Sequence, residues 1–284
     1  MSKKVNHNHQ KKIAVINDVT GFGRCSLAVQ LPIISKLKIQ CCGVPTAILS
    51  NQTGFPSYFI DDYTDRFEAY TNEWKKIDLH FNAITSGFIG SAEQIQQIKE
   101  FIKAFRDKDT IVMVDPVMGD HGKMYSSYTE DMCHAMKHLV KYATIITPNL
   151  TEACMLADYP YHEGHWTYSE LEELMKKLVE LGPEKIVITG IQQGQFVANV
   201  CYVPSLTNYE LHITRQIHVG CERNGTGDVF AAIIAADAVN GVPFVKSVQR
   251  ASRFVKKCIL TSMEMDIPNT DGVAFEEVLD SLHV

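Results

Sequence analysis

The 284-residue chain has no excess of positive charge: 27 lysines and arginines stand against 33 aspartates and glutamates, a formal net charge of −6. A nucleic-acid partner, which needs a basic face, is not suggested. Nucleotide phosphates would have to be held locally, by loops, cations and metal. Long apolar runs are missing too. None approaches the length of a membrane span, and the polar, basic start from Met1 to Lys12 has no apolar core of a signal peptide. The 8 cysteines form no C-x-x-C pair, so neither a zinc site nor a disulfide framework is expected. Free thiols in a reducing cytosol follow, and a cytoplasmic location with them. There is no internal repeat and no break in composition. Residues 1–10 are expected as a disordered tail, and residues 11–284 as one domain large enough for a real core.

What is present is an alternation of short apolar runs and amphipathic stretches. Strands are expected at 13–16, 40–47, 110–114, 144–147 and 185–189, and a strand running into a small-residue turn at 83–90. Helices are expected at 26–37 (with Pro32 inside it or kinking it), at 61–76, and from 91 with Ser91 as N-cap. Further helices are expected at 130–140, 169–181, 229–239 and 246–261, and a short one at 275–282. Residues 196–203 and 210–219 alternate like an antiparallel pair around a turn at 205–208. Strands alternating with helices imply a three-layer α/β architecture, a mostly parallel sheet covered on both faces.

The richest stretch chemically is Asn224-Gly225-Thr226-Gly227-Asp228, followed at once by a small, apolar run. Open N–H groups and the dipole at a helix start favour an anion there, and glycines allow close approach. Asp228 would repel a bound phosphate unless it contacts the group that attacks the phosphate, which is the position of a phosphotransferase base. The same five residues also suit an ordinary N-cap. Other candidates lie past the carboxyl ends of strands, where open α/β sheets bind small ligands. Asn17 and Asp18 follow the first strand, ahead of a Gly21-Phe22-Gly23 loop that lacks the third glycine of a dinucleotide fingerprint. Asp115 suits Mg²⁺ held through water, or a turn-forming Asp-Pro pair. Glu152 lies just past 144–147. The polar loop 50–54 closes over a substrate or is a surface turn. His121 contacts phosphate or sits in solvent. His134 and His138 are spaced i, i+4 but lack a third ligand, so they read as a solvated helix face. Cys221 is a reactive thiol in a moving segment or an idle one.

Five segments in order resemble one family. Gly225-Thr226-Gly227-Asp228 is similar to the phosphate cradle of ribokinase-like (PfkB-type) kinases. Within that superfamily Ser50–Gly54, Ser86–Ser91, Asp115–Asp120 and Ile146–Glu152 resemble pyridoxal kinases, and the match runs from about residue 13 to 260. The resemblance implies a ribokinase-like fold and ATP-dependent phosphorylation of the 5′-hydroxymethyl group of pyridoxal, pyridoxamine or pyridoxine. It implies Asp228 as base, with Gly225, Thr226 and Gly227 donating N–H bonds to the transferring phosphoryl group. Asp115 and Glu152 would serve Mg²⁺ and the nucleotide phosphates, and Tyr125, Thr147 and Thr189 match positions near ATP. Thr53 matches a substrate-loop position, and Asn17 or Asp18 stands where the family has a serine against the ring. The family admits K⁺ as a further cofactor and suggests a homodimer. The Asp-Pro-Val-Met segment is shared with hydroxymethylpyrimidine kinases, whereas Asp rather than Cys at 228 leans toward pyridoxal kinase. Hydroxymethylpyrimidine phosphorylation, and vitamer binding without catalysis, stay as alternatives.

Overall fold

Runs that are apolar on both sides become the central strands. Ile13, Ala14, Val15 and Ile16 are all buried in β1 (Lys12–Phe22) and point alternately into the two halves of the core. The computed structural model describes residues 5–203, 210–220 and 222–284. After β1 come α1 (Ser26–Lys36), β2 (Gln40–Asn51), β3 (Ile60–Asp62) and α2 (Thr64–Lys76). The next elements are β4 (Ala83–Ser86), α3 (Ala92–Phe105), β5 (Ile111–Val114) and a two-stranded flap of β6 (Gly119–Asp120) and β7 (Lys123–Met124). Then follow α4 (Glu130–Val140), β8 (Ile145–Ile146), α5 (Leu150–Ala157), α6 (Tyr168–Glu180) and β9 (Lys185–Gln193). The hairpin of β10 (Phe196–Tyr202) and β11 (His212–Ile217) leads to α7 (Thr226–Val239) and α8 (Phe244–Glu264), and a 3₁₀ segment, Glu276–Ser281, ends the chain.

One nine-stranded sheet runs β11-β10-β9-β8-β5-β4-β1-β2-β3. Its middle is parallel, and both edges are antiparallel, at β2–β3 and across β9–β10–β11. Helices α2 to α6 cover one face, and α1, α7 and α8 the other, each face with its own apolar core. The expected three-layer α/β architecture is what forms. Because the middle strands are parallel, the ends of β1, β4, β5, β8 and β9 open on one side of the sheet, which is where the site lies.

Several boundaries differ from expectation. β1 does not stop at Ile16. Its ladder with β2 shifts register between Asn17 and Val19 and then resumes to Phe22↔Asn51. Asn17 and Asp18 therefore lie inside a strand and not in a loop beyond it. Pro32 sits within a continuous α1. Helix α5 was not expected; it is short and begins straight after Pro148. Helix α7 starts at Thr226, inside the glycine-bracketed stretch, three residues earlier than its apolar run. Of the expected tail, residues 1–4 lie outside the described residues. Asn8 donates to the Asp78 carbonyl and accepts from His80 N–H, both at 2.9 Å. The turn at 205–208 and Cys221 also lie outside the described residues, and the described cysteines are all free. No helix among the described residues is long and apolar enough to cross a membrane.

Candidate active site

The start of α7 forms the floor of the site. Gly225 is its N-cap in the left-handed region (φ +79°), and no side chain caps the helix. Only glycine fits here, because a Cβ would stand 1.9 Å from the Arg24 carbonyl oxygen. Gly227 is the opposite case: nothing lies within 4 Å of where its Cβ would be, so that face is open. The Thr226 hydroxyl donates to the Arg223 carbonyl at 3.1 Å and so turns away from its own helix start. No hydrogen bond among the described residues occupies the N–H groups of Thr226, Gly227 and Asp228. These donors, aligned with the helix dipole, are an anion cradle. The half-buried Asp228 carboxylate accepts from Asn17 Nδ2 at 3.2 Å and from the Ser26 N–H. Burial, with the Asp18 charge adding to it, pushes the Asp228 carboxyl up to about 6, and those hydrogen bonds oppose the rise.

The cradle opens into a cleft of about 1000 Å³ walled by the ends of β5, β8 and β9, the flap and α8. Asp115 follows β5, and its Oδ1 accepts from the Thr147 hydroxyl at 3.0 Å. Burial and then the Asp228 charge push the Asp115 carboxyl up. Glu152 sits in the first turn of α5 inside a capping box: its Oε2 accepts from Asn149 N–H at 2.8 Å, and Asn149 Oδ1 accepts from Glu152 N–H at 2.9 Å. Its other oxygen accepts from Met118 N–H at 3.2 Å. Burial and the Asp115 charge raise the Glu152 carboxyl well above the ordinary range. Across the cleft mouth, His121 in the flap turn meets Glu222 at 2.8 Å, which raises the histidine. No cluster of three His, Cys, Asp or Glu side chains suited to a metal ion exists among the described residues. A divalent ion in this cleft would therefore need phosphate oxygens and water for most of its shell, which is how Mg²⁺ is commonly bound. Asp115, with one oxygen uncommitted, fits that role better than Glu152.

A model of the phosphomethylpyrimidine kinase family matches residues 31–271. The chain belongs to that family. It is a kinase of the pyridoxal kinase type, and its sheet and flanking helices are those of the ribokinase-like fold. A pyridoxine/pyridoxal/pyridoxamine kinase of Bordetella avium is 27% identical over 248 residues, 83% of this chain and 81% of that one. A protein of Bacteroides thetaiotaomicron described as a phosphomethylpyrimidine kinase, solved with pyridoxal, is 35% identical with a TM-score of 0.91. That match covers 96% of this chain and 95% of the other. Pyridoxal kinase from Lactobacillus plantarum is 25% identical with a TM-score of 0.87, over 95% and 96% of the two chains.

In this kinase Asp115, Tyr125, Thr147, Glu152, Thr189, Gly225, Thr226, Gly227 and Asp228 all line the one cleft, although they span more than a hundred residues of sequence. Three expected substrate contacts do not face it. Asn17 and Asp18 are 1% and 4% exposed, buried behind the wall by the continuation of β1. Asp18 accepts from the Thr20 hydroxyl at 2.5 Å. Thr53 is exposed in the turn after β2, and Gly54 reaches the cleft in its place. His134 and His138 touch ring to ring at 5.5 Å, away from the cleft. Sequence reasoning passed over Arg223 and Lys256, the two lasting cations among the described lining residues. Arg223 is buried and anchors the cradle by donating to the Ile267 carbonyl at 2.7 Å. Its signal was available, since it lies two residues before the first glycine of the cradle; Lys256 had none.

Proposed function

We propose that the cleft transfers the γ-phosphoryl group of ATP to the 5′-hydroxymethyl group of a B6 vitamer, within one domain spanning residues 11–284 of a cytoplasmic protein. One observation carries the reading: an ionisable carboxylate, Asp228, stands in the same helical turn as three open N–H donors. A pure binder of anions has no use for that negative charge. In the proposed reaction Asp228 accepts the hydroxyl proton, and the alkoxide oxygen forms its bond to the γ-phosphorus. The bond from that phosphorus to the β–γ bridging oxygen breaks, and ADP leaves. Asp228 then releases its proton to solvent. A carboxylate near 6 is mostly ionised at pH 7 and a better proton acceptor than an ordinary one. The open N–H groups of Thr226, Gly227 and Asp228, with that of Gly225 before them, present main-chain donors to the charge on the moving phosphoryl group, and donors of this kind are worth about 3–4 kcal/mol each when removed from comparable sites.

Tyr125, Thr147 and Thr189 form the nucleotide side of the cleft, and Arg223 and Lys256 offset the charge of the phosphates. Asp115 is the protein carboxylate for Mg²⁺, and Glu152 stands behind it with both oxygens engaged. The bound ion would supply charge neutralisation along the phosphates. The vitamer as substrate is supported by the curated relatives named as B6 kinases and by the Bacteroides relative solved with pyridoxal. The second substrate kept open is hydroxymethylpyrimidine, also a flat ring with a hydroxymethyl arm, whose phosphorylated form is what the family description names.

The test is turnover with Mg·ATP and pyridoxal, pyridoxamine, pyridoxine or hydroxymethylpyrimidine, side by side. A higher kcat/KM for a pyridine vitamer is expected. A higher value for the pyrimidine would keep the base and cradle but replace the substrate, and no turnover with any of them would leave a binding protein. A homodimer is proposed through the β1–β2–β3 edge, where Phe22, Ile48, Phe59 and Ile60 are 41–66% exposed. A monomer by light scattering would reject it.

A further inference from the structure

Asn17 was expected against the substrate, yet it is buried in β1, and all its side-chain polar atoms are engaged. Oδ1 accepts from the main-chain N–H of Asp18 at 3.0 Å and of Phe88 at 2.8 Å. Both partners are fixed donors, so the oxygen must face them and the amide NH₂ must face the other way. On that side Nδ2 donates to Gln30 Oε1 at 3.1 Å and to Asp228 Oδ1 at 3.2 Å. The segment after β4 makes room for this arrangement. A Cβ on Gly87 would lie 2.5 Å from Asn17 Nδ2. Asn17 thus ties the middle of β1, the segment after β4, α1 and the first turn of α7 at one amide.

We propose that Asn17 is a positioning residue for phosphoryl transfer: its Nδ2 aims the Asp228 carboxylate at the attacking hydroxyl. This rests on Asp228 being the base. The carboxylate is pinned from behind by two donors, Asn17 Nδ2 and the Ser26 N–H, which leaves its remaining lone pairs for the cleft. Among the described residues, Asp18 on β1 is the charged group that acts on the Asp228 carboxyl, and the Asp228 charge in turn acts on Cys25 before α1, Asp115 after β5 and Tyr125 after β7. None of them is a cation. The two neutral donors are therefore what holds the ionised carboxylate in place. In the absence of Asn17 the Asp228 carboxylate keeps only the Ser26 N–H and can turn about it, so the reacting oxygen is misaimed.

The experiment is a kinetic cycle between Asn17 and Asp228 in the full chain. Asn17→Leu is expected to lower kcat by about 10- to 100-fold, the range for losing one hydrogen bond to a charged group, while KM for ATP and for the vitamer stay within about threefold. Placed on Asp228→Asn, the same substitution should change kcat by less than about twofold, because its target is gone. A vitamer KM raised with kcat retained would make Asn17 a ring contact and overturn the proposal. Equal losses in both backgrounds would also overturn it. Full activity of Asp228→Asn alone would instead remove the base assignment, a separate failure. If Asn17→Leu does not fold, Asn17→Asp replaces it. That variant keeps an acceptor for both main-chain donors and exchanges the donor to Asp228 for a like charge, so the kcat loss should persist, most of all at high pH where both carboxyls are ionised, with a lowered melting temperature. Unchanged kcat in Asn17→Asp would reject the proposal.

Discussion

Helices α5 and α7 both start at the cleft with an acidic residue in the first turn, and they use it in opposite ways. At α5 the Asn149 and Glu152 side chains satisfy the helix's own start, in a closed capping box. At α7 the cap is a glycine without a side chain, Thr226 bonds elsewhere, and Asp228 is held by Asn17 and Ser26 from other elements. The free N–H groups of α7 then face the cleft. A helix start becomes a ligand site when its own sequence declines to cap it and its acidic residue is anchored from outside. The rule is the same at both ends; only the source of the partner differs.

The sharpest way to break this comparison is to neutralise both acids. Asp228→Asn should lower kcat by roughly 10³-fold, within the usual range for a general base, with ATP affinity retained; near-wild-type kcat would end the assignment. Glu152→Gln should act on the fold: one amide oxygen cannot accept from both the Asn149 and the Met118 N–H, so one buried donor loses its partner and the melting temperature falls, a loss of about 1–3 kcal/mol for a donor left unsatisfied. Asp115→Asn should raise the Mg²⁺ concentration for half-maximal rate by about tenfold, since one of a few hard ligands to the ion is lost. If Glu152→Gln raised it as far, both carboxylates would belong to the metal. The glycines sharpen the contrast within α7. Gly225→Ala meets the Arg24 carbonyl and a left-handed backbone, so a clear fall in melting temperature is expected. Gly227→Ala meets nothing, so melting should hold while turnover falls, because the added methyl lines the cradle.

The smallest expected effect is on stability against pH. The Asp228 carboxyl is raised above its unfolded value of 3.8 to about 6. Between those values the folded state holds a proton that the unfolded chain has released, so its contribution to stability is greatest below 3.8 and is lost as pH rises through about 6. Asp228→Asn removes that loss. The variant should melt a few degrees above the parent at pH 8, a shift of ~1 kcal/mol in a domain of this size, and nearly level with it at pH 4. An equal difference at both values would mean that Asp228 is not strained by burial.

Periodicity was legible where one element decides it. The helix expected at 130–140 is found there as α4, and α6 and α8 lie within a few residues of expectation. It failed where another element decides. Residues 17–22 hold three polar side chains and a glycine and read as loop, but the end of β2 pairs with them and makes them strand. The close approach is visible at Gly21, whose Cβ would stand 2.9 Å from the Ser50 carbonyl oxygen. Helix α5 was missed because eight residues carry too little period to detect.

Most of the order of strands and helices, the lack of an excess of positive charge and the cradle's five residues are local properties of composition and spacing, and the sequence by itself determined them. It also supplied the acidic and threonine positions that end in the cleft. What only the tertiary structure decided is which partner each of them takes. Asn17 and Asp228 are 211 residues apart, and nothing in either neighbourhood says that they share a hydrogen bond. The parallel sheet makes that meeting, because it brings the ends of β1, β4 and β5 to one side and lays the start of α7 against them. A side chain's role depends on the donors and charges within a few ångströms, and that distance is set by packing and not by position in the chain.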